Sequence, residues 1–522
     1  MDFNKTVLGI ELGSTRIKAV LLDEKNMPIA SGSHEWENKL INGVWAYSMD
    51  AIHSGLQSCY SELKKDIIVR FGETPVSFGA IGVSAMMHGY LPFDKDGRQL
   101  AEFRTWRNMI TEDAAKELSQ LFCFNIPQRW SIAHLYQAIL NGEEHVKDIA
   151  RLTTLAGYIH WQLTGEHLMG VGEASGMFPI DSRSLDYDRG LISRFESLIA
   201  SRGYKWRILD ILPKVRLAGE NAGYLTERGA LFLDPEGDLR PGIPIAPCEG
   251  DADTGMVATN SVRVGTGNIS AGTSDFAMLV TDHPLGVHRE IDMITTPTGL
   301  PVAMVHCNNC TSDINAWVNL FSEFADMIGS PINKSELYTR LFNKALEGDA
   351  DCGGLISYNY FSGESITELD EGRPVFARMG NSKFNLANFM RTHLLSAIAT
   401  LKLGLDILTR EENVPVEKFY GHGGFFKTPG VGQRLMSAAV GVPVYVMETA
   451  GEGGPYGMAL LCAYMLWRDT DETLEDYLDN KVFADAKATA IMADEPDIAG
   501  FNVFVYRYKK AFPVERAAVK TM

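Results

Sequence analysis

The chain has 522 residues, too many for one hydrophobic core, so two large domains are expected. Its 45% hydrophobic and 22% charged residues are the composition of a soluble globular protein. A formal net charge of −18 argues against nucleic acid and anionic membrane surfaces as partners, because both are bound by clustered Lys and Arg.

The first 35 residues carry a strand signal three times, VLGIEL, IKAVLLD and PIASGSHEW, separated by short turns, and read as an antiparallel meander. The first turn is Gly13, Ser14, Thr15 and Arg16, with Glu11 ending one strand and Lys18 inside the next. The opening MDFNKTVLGIEL lacks the basic and long apolar regions of a signal peptide, and no run approaches the ~18 apolar residues that span a bilayer. Residues 49–68 have helical apolar spacing and precede the strand-like SFGAIGVSAM. Helical patterns dominate from 111 to 205, and TLAGYIHWQLTG is expected to stop at Gly165.

Three prolines within seven residues, in RPGIPIAPCEGDAD, mark an expected boundary that divides the chain into 1–246 and 247–522. Just beyond it the opening pattern returns: NISAGTSDFAMLV sets Gly272, Thr273 and Ser274 against Gly13, Ser14 and Thr15, about half the chain away. This favours a doubled unit. Cys307 and Cys310 form a lone C-x-x-C pair without further ligands at zinc spacing, and read as ordinary thiols near a strand end. Seven thinly spread cysteines suit a reducing compartment, so the cytoplasm is the expected location.

In the second half a helix at 391–412 precedes the strand EKFYGHGG, a glycine loop, the helix GVGQRLMSAAVG and the strand VPVYVM. AGEGGPYG then opens the apolar helix MALLCAYML, and VYRYKKAF (505–512) reads as a solvated helix face. Alternating strands and helices in two similar halves indicate α/β domains with a cleft between them. Two Gly-Ser/Thr turns facing that cleft would offer backbone N–H groups and hydroxyls to a polyphosphate. Glu11 would then hold a phosphate-bound Mg²⁺, directly or through water, and Lys18 would offset phosphate charge. For the first turn alone, a hairpin with an exposed turn remains the competing reading.

At these residues the chain resembles the FGGY carbohydrate kinases, within the actin, hexokinase and heat-shock ATPase superfamily. The opening Asp-x-Gly-Thr-x-x-x-Lys/Arg pattern is matched by Glu11-Leu-Gly-Ser-Thr-Arg-Ile-Lys18, and the substrate loop Gln-Met-His-Gly by Met86 to Gly89. Asp-Ala-Ser-Gly is matched by Glu173 to Gly176, Gly-Asp-x-x by Gly250 to Asp253, and Leu-Gly-Thr-Ser by Ala271 to Ser274. YFSGES and GHGGFFKTPGVGQRLMSAAVGVPV continue the series in family order.

The resemblance implies two ribonuclease H-like α/β domains with a catalytic cleft between them, and an ATP-dependent kinase acting on a terminal hydroxyl of a ketose or related polyol. Asp251 matches the general base. Met87 and His88 match the sugar-contacting pair, and Trp106, Arg107 and Asn108 occupy the place of pocket-lining residues. Gly13, Ser14, Thr15, Lys18, Gly272, Thr273 and Ser274 fall on the phosphates of ATP, Gly423 and Gly424 on its adenosine end, and Glu11 on Mg²⁺. Without the resemblance, Asp251 and Asp253 read as helix N-terminal carboxylates, and Asp253 is expected to be structural in any case.

The departures are Glu11 for Asp, Met86 for Gln, the missing Arg after Glu364, and Asn108 where relatives often carry Asp. They leave two other readings open, a sugar- or nucleotide-binding regulator that has lost its chemistry and a partner-stimulated ATPase. A homodimer is possible, but no segment identifies an interface.

Overall fold

The computed structural model describes residues 1–447 and 453–522. They form two compact units. Unit one holds Met1–Val262, Asp292–Val302 and the described part of 452–485; unit two holds Arg263–Ile291, the described part of 303–451, and Ala486–Met522.

Unit one is built on the expected meander. Strands β1 (Val7–Leu12), β2 (Arg16–Leu22) and β3 (Pro28–Glu35) pair antiparallel in sequence order. The strand Ala80–Ala85 adds in parallel to the free side of β1, and Glu249–Gly250 adds in parallel beyond it. The meander is half open to water where β3 alternates, whereas Ala80–Ala85 is buried throughout, as suits a strand covered on both faces.

The Met49–Phe71 helix packs on β3, begins at a Ser48 cap and stops at left-handed Gly72. The Leu155–Thr164 helix stops at left-handed Gly165, as expected. The Gly454–Trp467 helix lies on β1 and Ala80–Ala85. Its approach is so close that a Cβ on Gly9 would fall 2.1 Å from the Pro455 carbonyl oxygen, and one on the neighbouring Gly82 would fall 2.5 Å from Met458. Bare backbone at this pair is what lets the helix seat.

Unit two repeats the plan. Thr266–Ala271 and Asp275–Val280 form an antiparallel hairpin around the second glycine turn, and Lys418–His422 and then Val444–Met447 add in parallel on the other side. With Pro301–Cys307 beside Asp275–Val280, the order is third, second, first, fourth, fifth, the same as in unit one. The short internal match of the two turns therefore reflects a repeated sheet. Ala488–Ile491 extends this sheet antiparallel to Val444–Met447. In the Glu495–Lys510 helix Val505 and Tyr508 are buried while Tyr506, Lys509 and Lys510 are exposed, so VYRYKKAF is solvated on one side only.

The division differs from the one expected at 246/247. The proline-rich stretch leads into Glu249–Gly250, which hydrogen-bonds as the last strand of the first sheet, and the following Asp251–Ala258 helix packs on the Gly454–Trp467 helix. Asp251 therefore belongs to unit one.

Candidate active site

The first glycine turn is fixed by aromatic donors. Glu11 and Lys18 are paired residues of β1 and β2, and the Gly13 N–H donates to the Arg16 carbonyl at 3.1 Å to close the turn. Trp36 Nε1 donates to the Gly13 carbonyl at 2.7 Å, the Tyr47 hydroxyl to the Ser14 carbonyl at 2.6 Å, and Trp106 Nε1 to Ser14 Oγ at 3.2 Å. The Trp36 and Tyr47 rings pack with centroids 4.2 Å apart. Both carbonyls and the Ser14 hydroxyl of the turn are thus engaged by aromatic donors. A pocket lined by Thr15, Arg16, Lys18, Glu35, Trp36 and Glu37 adjoins it.

Two carboxyls stand beside this turn. Glu11 keeps a small exposed surface, yet burial pushes its carboxyl up to about 8, helped by the charge of Asp251 and opposed by Lys18. Asp251 opens the Asp251–Ala258 helix; burial raises it to about 6, against the N–H groups of Met87 and Ala252. Its Oδ1 accepts the Met87 N–H at 3.1 Å. The next residue, His88, is buried in the left-handed region at φ 70°, and its Nδ1 lies 3.3 Å from the Gly176 carbonyl of the EASG segment. Met87, His88, Asp251 and the EASG segment are thus one constellation. Gly454 completes it: a Cβ there would stand 1.4 Å from Glu11 Oε2 and 3.0 Å from Thr254 Oγ1.

The Glu11 carboxyl, under the charge of Asp251 and with Lys18 opposing, suits a divalent cation, because burial disfavours a second unpaired negative charge. Among the described residues no group of three or more His, Cys, Asp or Glu gathers as a ligand set. A metal at Glu11 would therefore take its remaining ligands from phosphate and water, as Mg²⁺ commonly does.

In the loop at 106–108, Asn108 was expected, with Trp106 and Arg107, among the pocket-lining residues. Its Oδ1 accepts the Trp45 N–H at 2.8 Å, its Nδ2 donates to the Trp45 and Thr105 carbonyls at 2.8 and 3.0 Å, and it is buried. Its amide is fully engaged and fastens two loops. Arg107 is exposed, with its guanidinium 4.7 Å over the Trp45 ring and bonded to Asn38. Trp106 is the residue of the three that reaches the glycine turn.

In unit two the Gly272 N–H donates to the Ser274 carbonyl at 2.9 Å, closing a turn one residue tighter than the first. Here the helix start at Thr311 replaces the aromatic donors. The Thr311 N–H and hydroxyl donate to the Gly272 carbonyl at 2.9 and 2.6 Å, and the Cys310 N–H donates to the Thr273 carbonyl at 3.0 Å. Gly423 follows the Lys418–His422 strand at φ 97°, where a Cβ would meet the Ala271 carbonyl oxygen at 2.4 Å, so only glycine fits. At Gly424 a Cβ would meet nothing within 4 Å. Cys307 and Cys310 are buried, and burial pushes both thiols well above their usual range, so they are protonated and unreactive.

Residues 6–258 match the model of the FGGY family of carbohydrate kinases, N-terminal domain, and residues 267–466 match the model of its C-terminal domain. The chain belongs to the FGGY family of carbohydrate kinases. It is similar to the xylulose kinase of Haemophilus influenzae, 22% identical over 485 residues covering 85% of this chain and 91% of that one. It is also similar to the glycerol kinase of Thermococcus kodakarensis, 23% identical over 53% of this chain and 54% of that one. Among solved structures, a ligand-bound xylulose kinase from Lactobacillus acidophilus superposes with a TM-score of 0.80 at 17% identity, covering 99% and 98% of the two chains. A gluconate kinase from the same organism gives 0.78 at 17% identity, covering 98% of each.

As an FGGY kinase the chain is a phosphotransferase with an alcohol group as acceptor and ATP as co-substrate. Sequence reasoning missed three parts of its site. Trp36 and Tyr47 lie outside the motifs, and only the aromatic at the end of HEW hinted at the first. The glycine cluster before MALLCAYML was visible, but not that Gly454 borders Glu11. Finally, Glu173 was noted only as a motif letter and Asp253 as a structural acid at a helix start, and Glu249 was not noted at all.

Proposed function

We propose that this FGGY kinase transfers the γ-phosphoryl group of ATP to a terminal hydroxyl of a ketose, xylulose- or ribulose-like, or of a related polyol, with Asp251 as general base. The observation that carries the reading is the Asp251 carboxylate itself. It is aimed by the Met87 N–H, poised near neutrality at about 6, and next to the Met87–His88 loop. Asp251 accepts the hydroxyl proton as that oxygen attacks the γ-phosphorus, a task typically contributing ~10²–10⁴-fold. Met87, His88 and Trp106 are assigned to the acceptor. Lys18 and both glycine turns, Gly13–Thr15 and Gly272–Ser274, are assigned to the phosphates, and Gly423 and Gly424 to the adenosine end. Glu11 would hold Mg²⁺, which when bound neutralises phosphate charge.

The ketose assignment is supported by the xylulose kinase that matches along most of its length. The kinases of glycerol and gluconate among the similar proteins define the competitors. A screen of acceptor-dependent ADP release over ketoses, polyols and aldonates tests it. The highest kcat/KM on a ketose or a ketose-derived polyol supports the assignment. Turnover confined to glycerol or gluconate overturns the ketose, and saturable binding without ADP release on any acceptor overturns the reaction.

A further inference from the structure

Beneath Asp251 lie three acids that the reaction does not use. Glu173, Glu249 and Asp253 are 0%, 1% and 0% exposed. The glycines around them show that they converge on the same stretch of backbone. A Cβ on Gly172 would meet Asp253 Cγ and Glu249 Oε2, each at 2.7 Å. One on Gly250 would meet Glu173 Oε2 at 2.7 Å, Asp253 Oδ2 at 2.9 Å and Met87 Cγ at 2.9 Å, and one on Gly170 would overlap Glu249 Oε1 at 2.0 Å. Backbone donors reach only part of this oxygen surface. Glu249 Oε2 accepts the Glu173 N–H at 2.9 Å, and Asp253 Oδ2 accepts the Gly250 N–H at 3.2 Å. Glu249 Oε1, Asp253 Oδ1 and both side-chain oxygens of Glu173 meet no donor at hydrogen-bond geometry, although the Thr154 hydroxyl lies near Glu173.

Three negative charges cannot share so small a dry volume. A proton is the ligand that removes the repulsion and supplies the missing donors at once, as in paired carboxyls elsewhere. We propose that Glu173, Glu249 and Asp253 are a proton-sharing carboxyl cluster that positions Asp251 through Met87 and through the first turn of the Asp251–Ala258 helix. This rests on Asp251 being the base. The link is physical: Glu173 and Asp253 border Gly250 and Met87, and the Met87 N–H aims the Asp251 carboxylate.

Burial pushes all three well above the carboxylate range, with Asp253 and Asp251 adding to it at Glu173, Asp253 and Glu173 at Glu249, and Asp251 at Asp253. The groups facing them are Asp251 from the same helix, and Cys248 and Tyr187, both fully buried and protonated. Elements packed around the cluster also carry Asp186, Lys214, Arg216 and His160. Of these Lys214 is exposed, Arg216 turns back to the Val215 carbonyl, and burial holds His160 neutral with its pKa lowered to about 4. Asp181 is engaged with Ser184, and His88 lies against Gly176.

Infrared spectra of the full-length protein at neutral pH test the cluster directly, because protonated carboxyls have a carbonyl band that carboxylates lack. The wild type is expected to show the band, and Glu173→Gln and Asp253→Asn each to lose part of it. Chemical unfolding across pH gives a second readout. Each proton held by the fold but released on unfolding lowers the folding equilibrium about tenfold per pH unit above the unfolded pKa. Glu173→Gln should remove one proton's worth of that slope. Gly172→Ala, which wedges Asp253 from Glu249, should lower kcat by up to about 10²-fold with both KM values held.

Absence of the carboxylic band from the wild type, or an unchanged band and slope in both acid variants, overturns the proposal. If neither variant folds, Glu249→Gln is read in their place, because Glu11 also contributes to the wild-type band. Neither the band nor the slope depends on catalysis. If both behave as expected while Asp251→Asn turns over normally, the assignment of the base falls and the shared proton stands.

Discussion

Glu11 stands in register opposite Lys18 on the first hairpin, yet its carboxyl is governed by burial and by Asp251 more than by that lysine. Below about pH 8 it therefore holds a proton. A divalent cation bound there must displace that proton, so the apparent Mg²⁺ affinity for turnover should rise by up to about tenfold per pH unit up to about pH 8, then level. Mg²⁺ titrations at about pH 6.5, 7.5 and 8.5 check this. A pH-independent requirement would remove the metal from Glu11, and Glu11→Gln should show that flat behaviour.

Asp251 must be ionised to take a proton, and burial has raised it to about 6. The kcat/KM of the wild type should therefore fall as pH drops through about 6, the side on which the carboxylate is lost. Asp251→Asn should reduce kcat by ~10²–10⁴-fold, with ATP binding retained by equilibrium dialysis. Near-normal turnover in that variant would take the base elsewhere.

Stability should carry the same signature. Glu11 and Asp251 both bind protons more tightly in the fold than in the unfolded chain, so their contribution is full below the unfolded carboxyl range. It is lost as pH rises towards about 6 for Asp251 and about 8 for Glu11. The double variant Glu11→Gln, Asp251→Asn should flatten the decline in unfolding midpoint over that window.

Gly454→Ala drives a methyl group onto Glu11 Oε2 and Thr254 Oγ1. Overpacking of this kind typically costs ~1–3 kcal/mol, measurable by urea unfolding. Glu11→Ala in the same chain makes room for the methyl group, so the double variant should lose less than the sum of the two single losses. Additive losses would mean that the clash relaxes elsewhere.

Asn108→Ala deletes the amide that ties Trp45 to Thr105 and strands buried backbone groups, at a cost of ~1–3 kcal/mol. If the amide only fastens loops, KM for the acceptor should change less than the unfolding midpoint does. A large KM increase at unchanged stability would return Asn108 to the sugar.

The parts of this molecule legible in the sequence are those encoded locally. The meander, the two glycine turns and the stop at Gly165 follow from alternation, turn residues and caps that read the same in any context. What was not legible depends on distant chain. Nothing near Pro241 signals that Glu249–Gly250 will pair with Ala80–Ala85, and a short polar dipeptide carries no strand pattern. Asn108 has the chemistry of a sugar ligand and of a loop clamp alike; only its neighbours at Trp45 decide. The buried acids are the sharpest case, since Glu249 reads as a surface residue until Gly170 and Gly172 are found beside it.

The Gly454–Trp467 helix, seated on Gly9 and Gly82, has a consequence for how the protein is made. A ribosome releases β1 almost at once, but the helix that covers it emerges only after more than four-fifths of the chain has been translated. Until then the nascent chain exposes the apolar face of its first sheet, and a fragment ending near residue 262 would keep that exposure permanently. The first unit therefore closes only after most of the second has been made.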